Sequence, residues 1–303
     1  MKEFYCAPLQ GFTDRYWRQA HAALCRREGL EPPRYCAPFA RVEKGETRPR
    51  DLRDIAGEDV IPQAIFKNLA ELRTVASAVT ETGHTRLDLN LGCPFPPQIR
   101  AGRGSALAGN PEVLGEVSAW MKSRPDITFS LKMRPGVKEP DEWKRTIDII
   151  NSMPLCYVAI HPRTAVMGYK GETDMETFSE MLDALAHPAI YNGNISTPEE
   201  AAWICSRYPS IKGIMAGRGI LARPTLYAEF IGKSCSEAER AGAWLEIMRE
   251  VSRAIADASA GEAQALMRLK PRLDYADEAV VGRKLLKSLK KSSSLDKFLN
   301  LLG

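Results

Sequence analysis

Eight short apolar runs, separated by longer amphipathic segments, constrain this 303-residue chain more than any other feature. The runs are Phe4–Leu9, Arg34–Phe39, Val60–Ile65, Arg86–Leu91, Ile127–Met133, Cys156–His161, Ala189–Asn192 and Gly213–Ala216. Several are rich in β-branched or aromatic residues, and all are short enough to be strands buried on both faces of a parallel sheet. Between them the apolar spacing predicts helices over Asp14–Arg27, Leu69–Thr82, Pro111–Lys122, Asp141–Asn151 and Pro198–Ser206. Asn110-Pro111 and Thr197-Pro198 mark two helix starts, each with a capping side chain before a proline at the first helical position. Strands recurring about every thirty residues, each followed by a helix, have the count of a (β/α)8 TIM barrel. A doubly wound sheet is the rival, and it needs a G-x-G-x-x-G turn after an early strand. Arg100-Ala101-Gly102-Arg103-Gly104 follows the fourth strand and lacks that spacing. No strand pattern appears after Ser236, and Glu237–Ser259 and Gly261–Leu302 read as helices. The expected organisation is a barrel over residues 1–235 and a small all-helical C-terminal domain over residues 236–303.

At 44% hydrophobic and 26% charged residues, the chain can form a sizeable core and is not wholly disordered. A net charge of +4 names no nucleic-acid partner by itself, but its distribution is informative. Between Arg268 and Lys297, nine basic residues stand against four acidic ones, so the rest of the chain sums to −1. Seven cysteines, scattered and without a C-x-x-C pair, form neither a zinc-ribbon pattern nor a redox pair, and no metal site is expected. Several, Cys156 among them, are expected to pack as small hydrophobes. The opening Met1-Lys2-Glu3-Phe4-Tyr5 has no signal-peptide pattern, and no run approaches the ~20 apolar residues of a membrane span. A reducing, cytoplasmic setting is therefore expected.

In such a barrel the chemistry sits at the C-terminal ends of the strands, and polar and glycine residues gather there. The first strand ends in Ala7-Pro8-Leu9-Gln10-Gly11, the third holds Gln63, the fourth runs into Asn90-Leu91-Gly92-Cys93-Pro94, and the fifth into Lys132-Met133-Arg134. The last three end in His161-Pro162-Arg163-Thr164, Asn192-Gly193-Asn194 and Gly217-Arg218-Gly219. Glycines after strands seven and eight allow backbone N–H groups to approach a phosphate, to which Arg218 adds a charged fork. Lys132 stands in Phe129-Ser130-Leu131-Lys132-Met133, a run otherwise suited to burial. A buried ammonium is costly without an anionic partner, so an anionic ligand is the better account of it.

Taken together these blocks resemble the tRNA-dihydrouridine synthases, over nearly the whole chain and in that family's motif order. Leu89-Asn90-Leu91-Gly92-Cys93-Pro94, followed by Gly102-Arg103-Gly104-Ser105-Ala106-Leu107, is similar to the catalytic signature. Ser130–Gly136, His161–Thr164 and Met215–Gly219 are similar to the blocks that follow it. The resemblance implies an FMN-binding barrel with a helical tRNA-binding domain, reduced by NADPH or NADH and acting on one uridine of the tRNA D-loop. It implies hydride transfer from flavin N5 to C6 of the uracil and proton transfer from Cys93 to C5. Pro8, Leu9, Gln10, Gln63, Lys132, His161, Asn192, Gly193, Asn194, Gly217 and Arg218 are then cofactor-binding. Lys132 faces N1 and O2 of the flavin, while Arg163 lies near the phosphate or the base. Arg41, Asn90, Arg134, Arg283, Lys284 and Lys287 are expected to contact tRNA.

Two positions depart from the family pattern. Leu9 replaces a usual Met, a volume-conserving change, and Asn194 stands where Asp or Glu is usual. Together with the Ala7–Gly11 opening, Asn194 points to the bacterial subgroup that modifies position 16. A barrel reducing a free pyrimidine does not need the basic helical appendage, and a non-catalytic RNA-binding barrel does not need both Cys93 and Lys132. A monomer is expected.

Overall fold

The computed structural model describes residues 2–303. All eight expected strands form, as a single parallel sheet: β1 Glu3–Cys6, β2 Arg34–Tyr35, β3 Gln63–Ala64, β4 Arg86–Leu91, β5 Thr128–Met133, β6 Leu155–Ile160, β7 Ala189–Asn192 and β8 Gly213–Ala216. Their spatial order is β2-β1-β8-β7-β6-β5-β4-β3, so chain neighbours lie side by side. Parallel bridges Cys36↔Ile61 and Ala40↔Ala64 join the two ends of that order, which closes the sheet into a (β/α)8 barrel. Strands β2 and β3 are shorter than the runs that predict them, at two residues each. Pro38 and Pro62 interrupt these runs, and a proline has no N–H to give a ladder.

Two compact units are distinguishable. The first comprises the segment ending at Pro8 together with Arg34–Asn194 and Ile204–Met215. Inside it Tyr5, Ala7, Cys36, Ile61, Tyr157, Ala159, Ile190 and Met215 form one buried cluster. The Tyr5 and Tyr157 rings pack 5.1 Å apart within that cluster. Asp88-Leu89-Asn90 and Ser130-Leu131-Lys132 alternate by the strand period of two. Their leucines are 0% exposed on the face opposite the polar residues. Cys156 differs from the expected packing role: it is exposed, near the start of β6, while the rest of that strand is buried. The expected helix over Asp141–Asn151 is also divided, into a 3-10 turn Glu142–Arg145 and a helix Ile147–Ser152. Thr146 separates them because its buried hydroxyl donates to the carbonyl of Ala108 at 2.5 Å, which fixes the backbone there outside the helical region.

The second unit comprises Leu9–Pro33, Ile195–Trp203 and Ala216–Gly303. Its long helix, Glu237–Asp257, starts with a capping box between Ser236 and Glu239. It packs Trp244, Ile247 and Met248 beside Trp17 of the helix Arg15–Arg27. Arg272 ties the C-terminal helices to this layer, donating to Asp14 and to the Phe12 carbonyl at 2.6 Å each. Thr197 caps the helix Pro198–Arg207 as its sequence predicts, accepting from the N–H of Glu200 at 3.2 Å. The region after Ser236 forms helices only, in several short pieces up to Leu302.

Candidate active site

The barrel interior is polar toward β3, β4 and β5. In register, Gln63 pairs with Asp88 and Asp88 with Ser130, while Asn90 pairs with Lys132 two residues further along. Period-two alternation therefore aims Asp88 and Asn90, and Ser130 and Lys132, to the same side of the sheet. Asp88 accepts from Ser130 Oγ at 2.6 Å and from Gln63 Nε2 at 2.7 Å. Gln63 Oε1 accepts from Asn90 Nδ2 at 2.7 Å. Asn90 Oδ1 then accepts from the backbone N–H groups of Gly92 at 3.1 Å and Cys93 at 2.8 Å.

That last contact holds the loop carrying Cys93, which is half-buried. A second anchor comes from Ser105, whose hydroxyl donates to the Cys93 carbonyl at 3.0 Å. Gly104 fits against the loop only because it lacks a Cβ: one there would lie 2.8 Å from Cys93 Cβ and 3.0 Å from its carbonyl oxygen. Its φ of +62° also favours glycine. Burial raises the thiol pKa above its ordinary value, against the opposing pull of the Phe95 N–H, Arg134 and Lys132. Cys93 is thus a thiol at neutral pH, with two nearby cations to stabilise a thiolate.

Among the described residues, Lys132 makes no hydrogen bond or ion pair with a side chain, and burial, helped by Arg134, lowers its pKa to about 8. Asp88 supports its charge through space, but both carboxylate oxygens already accept hydrogen bonds. Arg134 is buried at 1% exposure. It donates to the Thr164 carbonyl at 2.9 Å and stacks its guanidinium 5.3 Å from the Tyr169 ring centroid. Expected on a tRNA track, Arg134 thus lies beneath an exposed aromatic ring rather than on the surface. His161 Nε2 lies 3.1 Å from Arg163 Nη1, and Arg163 Nη2 donates to Asn194 Oδ1 at 2.9 Å. The amide at position 194 therefore provides the acceptor a carboxylate would, while the next helix takes its cap from Thr197. Asn192 donates to the Met215 carbonyl at 2.7 Å. Gly193 sits where a Cβ would lie 2.2 Å from the Tyr191 hydroxyl.

Of the other expected residues, Pro8, Leu9 and Gln10 begin a turn in which Leu9 N–H donates to Thr13 Oγ1 at 2.8 Å, and Gln10 is exposed. Gly217 precedes the short helix Arg218–Ala222. Gly219 in that helix approaches Ile195 so closely that a Cβ would lie 1.9 Å from its carbonyl oxygen. Arg41 is partly exposed, 3.9 Å from Glu43. In the helix Arg283–Lys291, Leu286 and Leu289 are buried while Arg283, Lys284, Lys287 and Lys291 are exposed. Arg283 pairs with Glu278 at 3.2 Å and Lys290 with Asp274 at 2.7 Å, which leaves Lys284, Lys287 and Lys291 as the open charges of that helix. Asp88, Ser130 and Tyr169 were not anticipated as site residues. The only sequence signal for the first two is a polar residue two places before Asn90 and before Lys132, in strands otherwise apolar. Among the described residues, no group of three or more His, Cys, Asp or Glu is arranged to hold a metal ion. Among the same described residues, no helix is long and apolar enough to cross a membrane.

A half-buried ammonium with no hydrogen-bonded protein anion and a protonated thiol on a tethered loop, both at the C-terminal ends of barrel strands, define a (β/α)8 barrel equipped for redox chemistry with an anionic cofactor. The same fold occurs in the old yellow enzyme from Trypanosoma cruzi, with a TM-score of 0.51, 12% identity, and coverage of 80% of this chain and 92% of that one. Morphinone reductase matches with a TM-score of 0.50 and 12% identity, over 80% and 88%. A family model described as dihydrouridine synthase matches residues 5–295. The tRNA-dihydrouridine synthase B of Vibrio parahaemolyticus is 28% identical over 235 residues, spanning 74% of this chain and 69% of its own. That of Vibrio vulnificus is 29% identical over 239 residues, with the same coverage. This chain belongs to the dihydrouridine synthase family, and so is an FMN-dependent oxidoreductase of the tRNA-dihydrouridine synthase kind.

Proposed function

We propose that this protein uses NADPH to reduce the C5–C6 double bond of one uridine in the tRNA D-loop, with Cys93 as the proton donor. The observation that carries the proposal is a protonated thiol on a loop anchored by Asn90 and Ser105, together with the ammonium of Lys132, to which no protein side chain is hydrogen-bonded. FMN, when bound, supplies the hydride to C6 and accepts one from the nicotinamide. Lys132 would hold the flavin ring at the edge where reduction deposits negative charge, and Gln63 would offer that ring its remaining amide hydrogen. Gly217 and Arg218 would hold the phosphate. Hydride addition at C6 builds negative charge toward C5 and O4, and Cys93 relieves it by giving its proton to C5 from the opposite face. Arg134 and Lys132 then stabilise the thiolate until it is reprotonated. Arg134, with its charge held under Tyr169, and the remaining amide hydrogen of Asn90 would meet the base rather than the outer phosphates.

Position 16 is the target expected from the Ala7–Gly11 opening and Asn194. Incubating the purified protein, NADPH and tRNA from a strain lacking the enzyme tests the proposal: a yellow protein that installs dihydrouridine at one mapped D-loop position supports it. A colourless protein, or one acting only on free uracil, refutes it.

The helices after Ser236 are assigned to tRNA. Backbone phosphates give affinity through released counterions, whereas one pocket gives the chemistry. A Lys284/Lys287/Lys291→Ala variant is expected to bind tRNA more weakly, with a shallower salt dependence and unchanged flavin content. Wild-type affinity and slope would place the RNA surface elsewhere.

Gly104→Ala tests the loop. The added methyl pushes against Cys93, and a displacement of about 1 Å is expected to slow single-turnover reduction by about 10²-fold with FMN retained. An unchanged rate would mean that the loop adjusts without cost.

A further inference from the structure

Asp88 is 0% exposed inside the barrel, and a buried carboxylate is costly. What it offers that a neutral residue of its size does not is two acceptors and no donor. Ser130 Oγ meets Oδ1 at 2.6 Å and Gln63 Nε2 meets Oδ2 at 2.7 Å. A side-chain amide has one donor end and one acceptor end, so fixing one end fixes the other. With Nε2 on Asp88, Gln63 must turn Oε1 toward Asn90, where it accepts from Nδ2 at 2.7 Å. With Nδ2 so engaged, Asn90 must present Oδ1 to the loop, where two backbone N–H groups donate to it at 3.1 and 2.8 Å. A reversed relay would aim the NH2 group of Asn90 at those same donors, and the two backbone N–H groups of the Cys93 loop would lose their shared acceptor.

We propose that Asp88 is a positioning residue for the thiol of Cys93, acting through the fixed orientation of the Gln63 and Asn90 amides. The proposal rests on Cys93 being the proton donor. Burial raises the Asp88 pKa to about 6, against the hydrogen bonds from Gln63 and Ser130, so above neutrality the carboxylate stays ionised and free of a donor.

The test is the single-turnover rate of tRNA reduction by pre-reduced holoenzyme. Asp88→Ala leaves Gln63 without its anchor and is expected to slow the reaction at least about tenfold while FMN content is kept. Asp88→Asn is expected to recover to within about threefold of wild type. There the new NH2 group is taken by Ser130 and the amide oxygen stays on Gln63. Asp88→Ala/Cys93→Ala is expected to be no slower than Cys93→Ala alone, because residues acting as one unit do not give multiplicative losses. Multiplied losses, a wild-type rate in Asp88→Ala, or an Asn variant as slow as the Ala variant would each overturn the proposal. A fully active Cys93→Ala protein would instead overturn the assignment of the proton donor. If Asp88→Ala does not fold, Asp88→Asn/Ser130→Ala carries the same comparison: each single change leaves an acceptor facing Gln63, and the double removes the partner that selects it. A loss greater than the product of the singles supports the relay, and a simple product overturns it.

Discussion

A Cys93→Ala protein is expected to keep its flavin and its affinity for tRNA and to lose about 10²–10⁴-fold in single-turnover reduction, the usual contribution of a general acid. The anchors of its loop explain why binding survives. Asn90 holds the backbone N–H of residue 93 and Ser105 holds its carbonyl, and neither contact involves Sγ. Removing the sulfur therefore takes away the proton without moving the chain. An acid for this step must be protonated before transfer and bearable as an anion afterwards. Burial secures the first by raising the thiol pKa, and Arg134 and Lys132 secure the second by opposing that rise. As pH climbs past the raised thiol pKa, the donor is lost and the wild-type rate should fall toward that of the Ala variant. Full single-turnover activity in Cys93→Ala, measured with pre-reduced flavin, would end the assignment.

Lys132→Met is expected to lower flavin occupancy and to shift the flavin midpoint potential to more negative values, because the charge deposited by reduction loses its ammonium. The pH dependence follows from the lysine itself. Burial has lowered its pKa to about 8 in the protein alone, so the ammonium is fully present below that pH. An anion that prefers the charged form gains most there. The advantage of wild type over Lys132→Met in FMN affinity should be constant at lower pH and narrow as pH rises above about 8. Titrating stripped protein with FMN at several pH values, together with a potentiometric measurement, checks both effects. An unchanged midpoint potential would give Lys132 another task.

The strands and the order of motifs were legible in the sequence because each depends on local pattern. Short apolar runs, proline-marked helix starts and glycines near strand ends require no knowledge of distant residues. Where local pattern met a non-local demand, it failed: Thr146 divides an otherwise helical segment by bonding a carbonyl 38 residues away, and Cys156 is exposed within an apolar run. The basic face of Arg283–Lys291 was readable, since i, i+3 and i+4 spacing alone separates Leu286 and Leu289 from the charges.

By itself, then, the sequence determined a barrel with polar strand ends, a thiol and a lysine in a recognisable series of motifs, and a basic helical C-terminus. Only the tertiary structure decided how those residues act. Gln63, Asp88, Asn90 and Ser130 lie on three strands, and the register Gln63↔Asp88↔Ser130 that makes them neighbours is set by pairing across the sheet. The burial of Arg134 under Tyr169, and the use of Asn194 as the acceptor for Arg163, likewise join loops far apart in the chain. Hydrogen-bond direction and desolvation are properties of such neighbourhoods, and closure of the barrel is what creates them.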